Sequence, residues 1–169
     1  MATDEEAAFR RLGPWAAWSP YRGALIIPVD RAGRVLLQLR DHNPAAVHPG
    51  EWGLFGGEAE PGESLAEAAA REFLEETEIA LPLSAFKPFA RIVSPVSLRR
   101  LYAFEVVLEA AARDIRLNEG AGFGFIEPAD FPRLDMVAAA RIILAAWTGA
   151  DQSQSRKIAT SGRSAGGIG

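Results

Sequence analysis

The sequence contains no cysteine, which excludes disulfide bonds and thiolate metal sites. Its two histidines, His42 and His48, lie six residues apart in a proline-rich loop, where solvated side chains are a simpler interpretation than metal ligands. No apolar run approaches the roughly 20 residues that a membrane-spanning helix needs, and the acidic first residues do not resemble a signal peptide. The net charge of −4 gives no general attraction to duplex nucleic acid. These absences predict a cytoplasmic protein that binds neither duplex nucleic acid nor a membrane.

The composition is that of an ordinary globular protein. The 169 residues are 49% hydrophobic and 24% charged, which is enough apolar material for one buried core. We predict a single domain over residues 1–150 that begins with a short helix at residues 4–12. The tail, residues 151–169, is rich in serine and glycine, offers little to bury and is expected to be disordered. The sequence leaves the oligomeric state open, a homodimer included.

Short apolar runs separated by turn residues predict β-strands. Residues 24–29 and 35–39 flank an Asp-Arg-Ala-Gly turn and predict a β-hairpin. Pro28, within the first run, indicates a strand at a sheet edge or one with a bulge. Further strands are predicted at residues 52–55, 89–93, 100–108 and 122–126, and a closing helix is predicted at residues 135–147.

Residues 64–77 carry the strongest helix signals of the chain. Ser64 and Glu67 have the spacing of a capping box, and four alanines lie inside the segment. One broad face is predicted to be apolar and to pack on the sheet; it consists of Ala66, Ala69, Ala70, Phe73 and Leu74. A different face carries three carboxylates at helical positions i, i+3 and i+4, namely Glu72, Glu75 and Glu76.

Negative charge is concentrated in residues 57–79, where eight glutamates face one arginine and the local net charge is −7. Like charges at neighbouring helical positions cost a few tenths of a kcal/mol per pair, and carboxylates near a helix C-terminus cost roughly 0.3–1 kcal/mol each. A divalent cation offsets both costs, and oxygen ligands favour Mg²⁺ or Mn²⁺. A solvated acidic face is the alternative interpretation.

The spacing of these residues resembles the Nudix box, G-x5-E-x7-R-E-U-x-E-E-x-G-U, in which U is a bulky aliphatic residue. Phe73 is a conservative variant at one U position. Glu78 occupies the position of the second glycine, and we expect it to end the helix differently, because a left-handed conformation is costly for a residue with a Cβ. Residues 52–57 and 118–125 also resemble segments of this family. Seven of the nine specified positions match: Gly57, Glu63, Arg71, Glu72, Glu75, Glu76 and Ile79.

The resemblance implies a mixed β-sheet flanked by helices, the Nudix α/β/α sandwich, and hydrolysis of the pyrophosphate linkage in nucleoside diphosphate derivatives. It implies that Arg71 orients a box glutamate, Glu63 or Glu75. Glu119 is a candidate additional metal ligand or general base on a mobile loop, and an exposed turn residue is its alternative reading. The implied ligands of Mg²⁺, with Mn²⁺ possible, are Glu72, Glu75, Glu76 and the main-chain carbonyl of Gly56.

The substrate side of the site is predicted from basic and aromatic residues. Arginines can contact phosphate groups, although each one alone is commonly a surface charge. Strand aromatics can stack on a base, although they more often lie in the core. The candidates for phosphate contact are Arg40, Arg91, Arg99 and Arg100, and those for stacking are Trp52, Tyr102, Phe104 and Phe125.

The identity of the substrate is left open among nucleoside triphosphates, nucleotide sugars and ADP-ribose. Pro95 lies sixteen residues after Ile79, about where the ADP-ribose-cleaving branch has a proline, but a proline after a serine is also a plain turn signal. A catalytically weak module that senses a nucleotide is an alternative suggested by Glu78. An isomerase of prenyl diphosphates would require a cysteine nucleophile, which this chain lacks.

Overall fold

A mixed β-sheet forms the middle layer of the computed structural model, which describes residues 4–15, 20–43, 45 and 48–161, with side chains up to residue 149. The strands are β1 (Arg10–Arg11), β2 (Arg22–Val29), β3 (Val35–Leu39), β4 (Trp52–Gly53), β5 (Phe55–Glu58), β6 (Lys87–Val93), β7 (Arg100–Val107) and β8 (Gly122–Ile126). The helices are α1 (Asp4–Ala7), α2 (Leu65–Thr77) and α3 (Ala138–Ser161), with short 3-10 helices at Leu83–Ala85, Ala112–Asp114 and Pro128–Arg133.

The strand order is β1-β6-β7-β2-β3-β4, with β5 also paired to β2 and β8 to β3. The β2–β3 hairpin is confirmed, and the carboxylate of Asp30 accepts hydrogen bonds from the backbone N–H groups of Ala32 and Arg34 in its turn. The prediction that Pro28 marks an edge strand is wrong, because β2 is central and pairs in parallel with β7 along its whole length. On the other side of β2, the pairing with β5 ends at Ile26 and the pairing with β3 is at Val29. Pro28 therefore lies in the gap between these two pairings, where its lack of an N–H is tolerated.

Each face of the sheet packs on one of the long helices. On one face, α2 buries Leu65, Ala68, Ala69 and Phe73 against a cluster that includes Phe104. On the other face, α3 contributes Ala139, Ala140, Ile143 and Leu144 to a second cluster. The predicted α/β/α sandwich is therefore present. Within the described residues, no helix combines the length and apolar character needed to cross a bilayer.

The start of α2 forms as its sequence predicts. The Ser64 hydroxyl accepts a hydrogen bond from the Glu67 N–H at 3.2 Å, and the Glu67 carboxylate accepts one from the Ser64 N–H at 2.8 Å. The predicted apolar face is wrong at Leu74, which is 45% exposed. The buried stripe runs instead through Ala68 and ends at Glu76 and Thr77, because β5 packs beside the carboxylate-bearing end of the helix.

The end of α2 differs from the expectation for Glu78. Glu78 is the C-cap residue with φ 58° and ψ 17°, and its N–H donates to the carbonyl of Leu74 at 2.9 Å. It therefore adopts the left-handed conformation that a glycine would adopt there, and the helix ends in the usual way. The glutamate carries the conformational cost of a Cβ without changing the turn.

Replacing Glu78 with glycine is expected to raise the free energy of unfolding by about 0.5–1 kcal/mol, because glycine adopts a left-handed conformation without a steric penalty. Urea titrations would measure the change. Glu78→Ala is the matched control, since it removes the carboxylate, including its exposed ion pair with Arg116, but keeps the Cβ and should give no such gain. A many-fold rise in turnover for Glu78→Gly would contradict the view that the residue affects stability alone.

Other elements also differ in length from the predictions. Helix α1 ends at Ala7, and residues 10–11 form a strand instead. The predicted strand at residues 52–55 is divided into β4 and β5. Helix α3 extends to Ser161, so residues 151–161, expected to be disordered, have a helical backbone, while residues 162–169 lie outside the described part of the chain.

Candidate active site

The last two turns of α2 bring carboxylates against β5. The apolar stripe of the helix packs on the sheet, which directs the neighbouring stripe, containing Glu72 and Glu76, toward Gly56 and Gly57. The carboxylate of Glu76 accepts a hydrogen bond from the Gly56 N–H at 2.9 Å. The contact between Gly56 and this carboxylate is made through the amide of Gly56.

Glu76 is a buried acid, with only 6% of its surface exposed. The pKa of its carboxyl is raised to about 8, mainly by burial and in part by the charges of Glu119 and Glu72, while the Gly56 N–H and Arg40 act in the opposite direction. At neutral pH without a bound cation, the side chain is therefore largely protonated. A buried acid with a raised pKa beside other carboxylates is a candidate functional group.

The raised pKa predicts a pH dependence of stability in metal-free protein. Because the folded pKa of Glu76 lies above its unfolded value of about 4.5, the folded state binds the extra proton between these values. Its contribution to the free energy of unfolding is therefore largest below pH 4.5, is lost as pH rises toward 8, and stays lost above it. The loss is at most about 1.4 kcal/mol per pH unit.

Urea unfolding of the wild type and Glu76→Gln in EDTA, from pH 5 to 9, measures this contribution by difference. Glutamine cannot ionise, so its advantage over the wild type should grow with pH up to about 8 and then level off. Curves that stay parallel over the whole range would contradict a buried, raised-pKa carboxyl at this position.

Gly57 lets the Glu72 carboxylate approach the strand. A Cβ placed on Gly57 would lie 2.4 Å from the carboxyl carbon of Glu72, so a larger residue would displace that side chain. The carboxylate also accepts a hydrogen bond from the Arg71 guanidinium at 2.7 Å and is 18% exposed. Glu72 is thus held between Gly57 and Arg71.

Arg71 contacts several acidic groups at once, among them Glu63 and Glu75, the two candidates for its partner. Its Nε and Nη2 donate to the two carboxylate oxygens of Glu63 at 2.9 and 3.0 Å, and this pairing lowers the pKa of Glu63. Nη2 also donates to the carbonyl of Glu58 at 3.0 Å. The arginine therefore ties the loop before α2 to the helix, and it orients Glu72 through the remaining nitrogen.

Glu75 is placed differently from the other two carboxylates. It is 59% exposed and lies 3.5 Å from Arg71. Within the described ranges, no group of three or more histidine, aspartate or glutamate side chains is arranged to hold a metal ion. Glu72, Glu76 and Glu119 carry carboxylate oxygens, the ligand type that hard divalent cations prefer, and the charges of Glu119 and Glu72 act on buried Glu76.

Glu119 lies close enough to Glu76 to raise the pKa of its carboxyl, so the structure places it beside the helix end. The loop before it is attached to α2: the Asn118 backbone N–H donates to the Glu76 carbonyl at 3.0 Å, and its side-chain amide donates to the Glu75 carbonyl at 2.8 Å. The side chain of buried Gln38 donates to the Glu119 carbonyl at 2.8 Å. These contacts hold the loop that we expected to be mobile.

Asn118 and Gln38 were missed as positioning residues by the sequence analysis. Asn118 caps the free carbonyls at the end of α2, a role that the last turn of a helix always leaves to be filled. The signal in the sequence was an amide side chain beside an acidic candidate, but nothing local related it to a helix forty residues earlier.

A cavity of about 420 Å³ opens beside Gly56 and Gly57. Arg40 and Arg99 line it, and the Arg99 guanidinium lies 4.3 Å from the ring centroid of Tyr21, which also lines it. His48, expected to be solvated, is 26% exposed, lines the same cavity and pairs with Glu51 at 2.9 Å.

The other substrate-side candidates lie elsewhere. Phe104 is 2% exposed and packs edge-on against Phe9 and Phe86 in the core, so the structure does not bring it to the cavity. Arg100 lies 3.9 Å from buried Glu6, and the Arg91 guanidinium lies 4.9 Å from the ring centroid of Trp15. Tyr102 is fully buried.

The sequence is similar to those of known proteins. The chain is 26% identical over 127 residues to a nucleoside triphosphatase NudI of Escherichia coli O81, covering 69% of this chain and 90% of that protein. It is 33% identical over 105 residues to a nucleoside triphosphatase NudI of Salmonella arizonae, covering 56% and 74% of the two chains.

Solved structures show the same fold. A MutT protein from Methanosarcina mazei Go1 superposes with a TM-score of 0.62 at 21% identity, over 80% of this chain and 99% of that one. A MutT NUDIX hydrolase from Burkholderia pseudomallei gives 0.60 at 27% identity, over 75% and 97%. The model of the NUDIX domain matches residues 20–147. The chain therefore belongs to the Nudix family and is a Nudix pyrophosphohydrolase.

Proposed function

We propose that this protein is a Mg²⁺-dependent hydrolase that cleaves the pyrophosphate linkage of a nucleoside triphosphate, with Mn²⁺ as a possible substitute. The observation that carries the proposal is the buried carboxylate of Glu76 beside Glu72 and Glu119, next to a cavity lined by Arg40 and Arg99. The choice of a triphosphate is supported by the relatives that are nucleoside triphosphatases. Nudix hydrolases generally use divalent ions, and this donor set suits one.

In the proposed mechanism, Glu72, Glu75, Glu76 and the main-chain carbonyl of Gly56 would hold the cation. When bound, it would neutralise charge on the pyrophosphate and favour ionisation of the attacking water. Arg71 keeps Glu72 and Glu63 oriented, as its hydrogen bonds indicate. Glu75 would have to turn away from Arg71 to take part, which its exposed position allows.

The chain's own groups would perform the remaining tasks. Arg40 and Arg99 would bind phosphate oxygens in the cavity, where the stacking of Arg99 on Tyr21 limits the orientations of its guanidinium. Glu119 is our candidate for accepting the proton of the water, since it lies beside Glu76 on a loop that Asn118 attaches to the helix.

A single domain and a cytoplasmic location stay predictions from the sequence.

A substrate panel tests the proposal. Purified protein is incubated with the nucleoside triphosphates, nucleotide sugars and ADP-ribose, each with Mg²⁺, with Mn²⁺ or with EDTA, and the products are identified by phosphorus NMR. We expect a nucleoside monophosphate and pyrophosphate from at least one triphosphate, and no turnover in EDTA. Preferred cleavage of ADP-ribose would replace the triphosphate assignment.

The alternative of a nucleotide sensor has lost its support, because Glu78 ends α2 as a glycine would. The same panel still tests it. Tight nucleotide binding with no product from any substrate would overturn the hydrolase proposal in its favour.

A further inference from the structure

Residues 4–12, here called the N-terminal arm, precede the matched region 20–147, and Phe9 of this arm lies in the same core cluster as the buried residues of α2. Phe9 is 3% exposed and packs edge-on against Tyr102 and Phe104, with ring centroids 5.3 and 4.9 Å apart. β1 then pairs in parallel with β6. These contacts anchor the chain directly after α1, which restricts where the side chains of α1 can lie.

The arm supplies a carboxylate to the start of α2. Glu5 Oε1 accepts a hydrogen bond from the backbone N–H of Leu65, the first residue of the helix, at 2.6 Å. The capping box uses the N–H groups of Ser64 and Glu67, so Glu5 satisfies a donor that the helix's own cap leaves free. An anion at this end also interacts favourably with the helix dipole.

The same carboxylate contacts a second part of the site. Glu5 Oε2 accepts a hydrogen bond from Arg22 at 3.2 Å. Arg22 lines a cavity of about 550 Å³ together with Arg71 and Glu72. Glu5 thus connects the first turn of α2 to Arg22, which borders Arg71 and Glu72 further along the same helix.

A short helix behaves as a rigid rod, so the position of its first turn affects where its last turns lie against β5. We propose that Glu5 is a positioning residue of the hydrolase, which holds α2 so that Glu72 and Glu76 meet Gly56 and Gly57. The catalytic part of this statement depends on the proposed function, whereas the position of the helix end can be measured without activity. The Gly56 N–H, which donates a hydrogen bond to Glu76, reports the position of the helix end.

The test uses the full chain with Glu5→Ala, Glu5→Gln and, as matched control, Asp4→Ala, which removes an exposed carboxylate from the same helix. Amide exchange and chemical shifts of Leu65 and Gly56 are measured by NMR without metal, and kcat and KM are measured well below the melting temperature. Glu5→Ala should speed exchange at Leu65 about fivefold or more, as expected for a lost cap, and shift the Gly56 resonance. It should lower kcat about fivefold while KM changes less than twofold.

Glu5→Gln should restore slow exchange at Leu65, because an amide oxygen also accepts a hydrogen bond, and should recover most of kcat. Asp4→Ala should resemble the wild type in every readout. An unchanged Leu65 exchange rate in Glu5→Ala would overturn the proposed cap. Faster exchange with an unchanged Gly56 resonance and unchanged kcat would overturn the positioning role. If the wild type itself hydrolyses nothing, the proposed function fails, while the two NMR readouts still decide whether Glu5 positions the helix.

Discussion

Glu76→Gln is expected to lower kcat by about three orders of magnitude. Glutamine has nearly the same shape and can keep the contact with the Gly56 N–H, but it cannot carry the negative charge that a cation would require. Losing several kcal/mol of charge stabilisation in the transition state corresponds to such a factor, since each 1.4 kcal/mol is about tenfold. Initial rates at saturating Mg²⁺ and substrate, with the substrate found in the panel, would measure the effect.

The matched control is Glu78→Gln, a carboxylate two residues later that is exposed and lies outside the proposed site. Its rate should stay within about twofold of the wild type. In metal-free protein above pH 8, Glu76→Gln should be more stable than the wild type, so the substitution itself does not disrupt folding. A Glu76→Gln enzyme with near-normal turnover would show that this carboxylate is not a working group.

Gly56→Ala is expected to cost more than about 4 kcal/mol of folding free energy and to leave little folded protein at 25 °C. Gly56 has φ 129°, a conformation that residues with side chains rarely adopt. Its added Cβ would lie 2.0 Å from the Ala24 carbonyl oxygen and 2.9 Å from the Leu25 Cα, both backbone atoms of β2. The pairing of β2 with β5 cannot persist at that distance, and circular dichroism with urea titration would register the loss.

Two other glycine variants separate the cost of a positive φ from the cost of a steric clash. Gly62→Ala imposes a positive φ of 87° with open space around the Cβ, so it should cost only about 1 kcal/mol. Gly57→Ala meets the flexible end of Glu72, so the protein should fold, but the displaced carboxylate should lower kcat by roughly 10- to 100-fold. A Gly56→Ala protein as stable as Gly62→Ala would refute the backbone clash.

Elements with local signals were predictable from the sequence. β3 has the predicted bounds, because an apolar run and an aspartate turn specify a hairpin without help from the rest of the chain. The start of α2 follows from Ser64 and Glu67 in the same way. The path of the N-terminal arm was not predictable, because Phe9 is buried by Tyr102 and Phe104, more than 90 residues away.

The site was predictable in its residue types but less so in its geometry. Helical periodicity places Glu72 and Glu76 on one face, and the structure brings both to β5. The orientation of Glu75 toward Arg71 depends on the neighbouring pairs with Glu63 and Glu72, which periodicity does not show. Alternation along β7 groups Tyr102 with Phe104 but cannot tell that their face meets α2 and the arm rather than the cavity.

The N-terminal arm also affects how copies of this protein meet. The outer margin of a β-sheet offers unpaired main-chain groups on which another molecule can assemble, and such growth leads to aggregates. Here the margin beyond β6 is occupied by Arg10 and Arg11, a strand of two exposed cationic residues. Two molecules approaching along this margin would bring like charges together. We therefore expect the arm to lower the tendency of the protein to self-associate along this margin of its sheet.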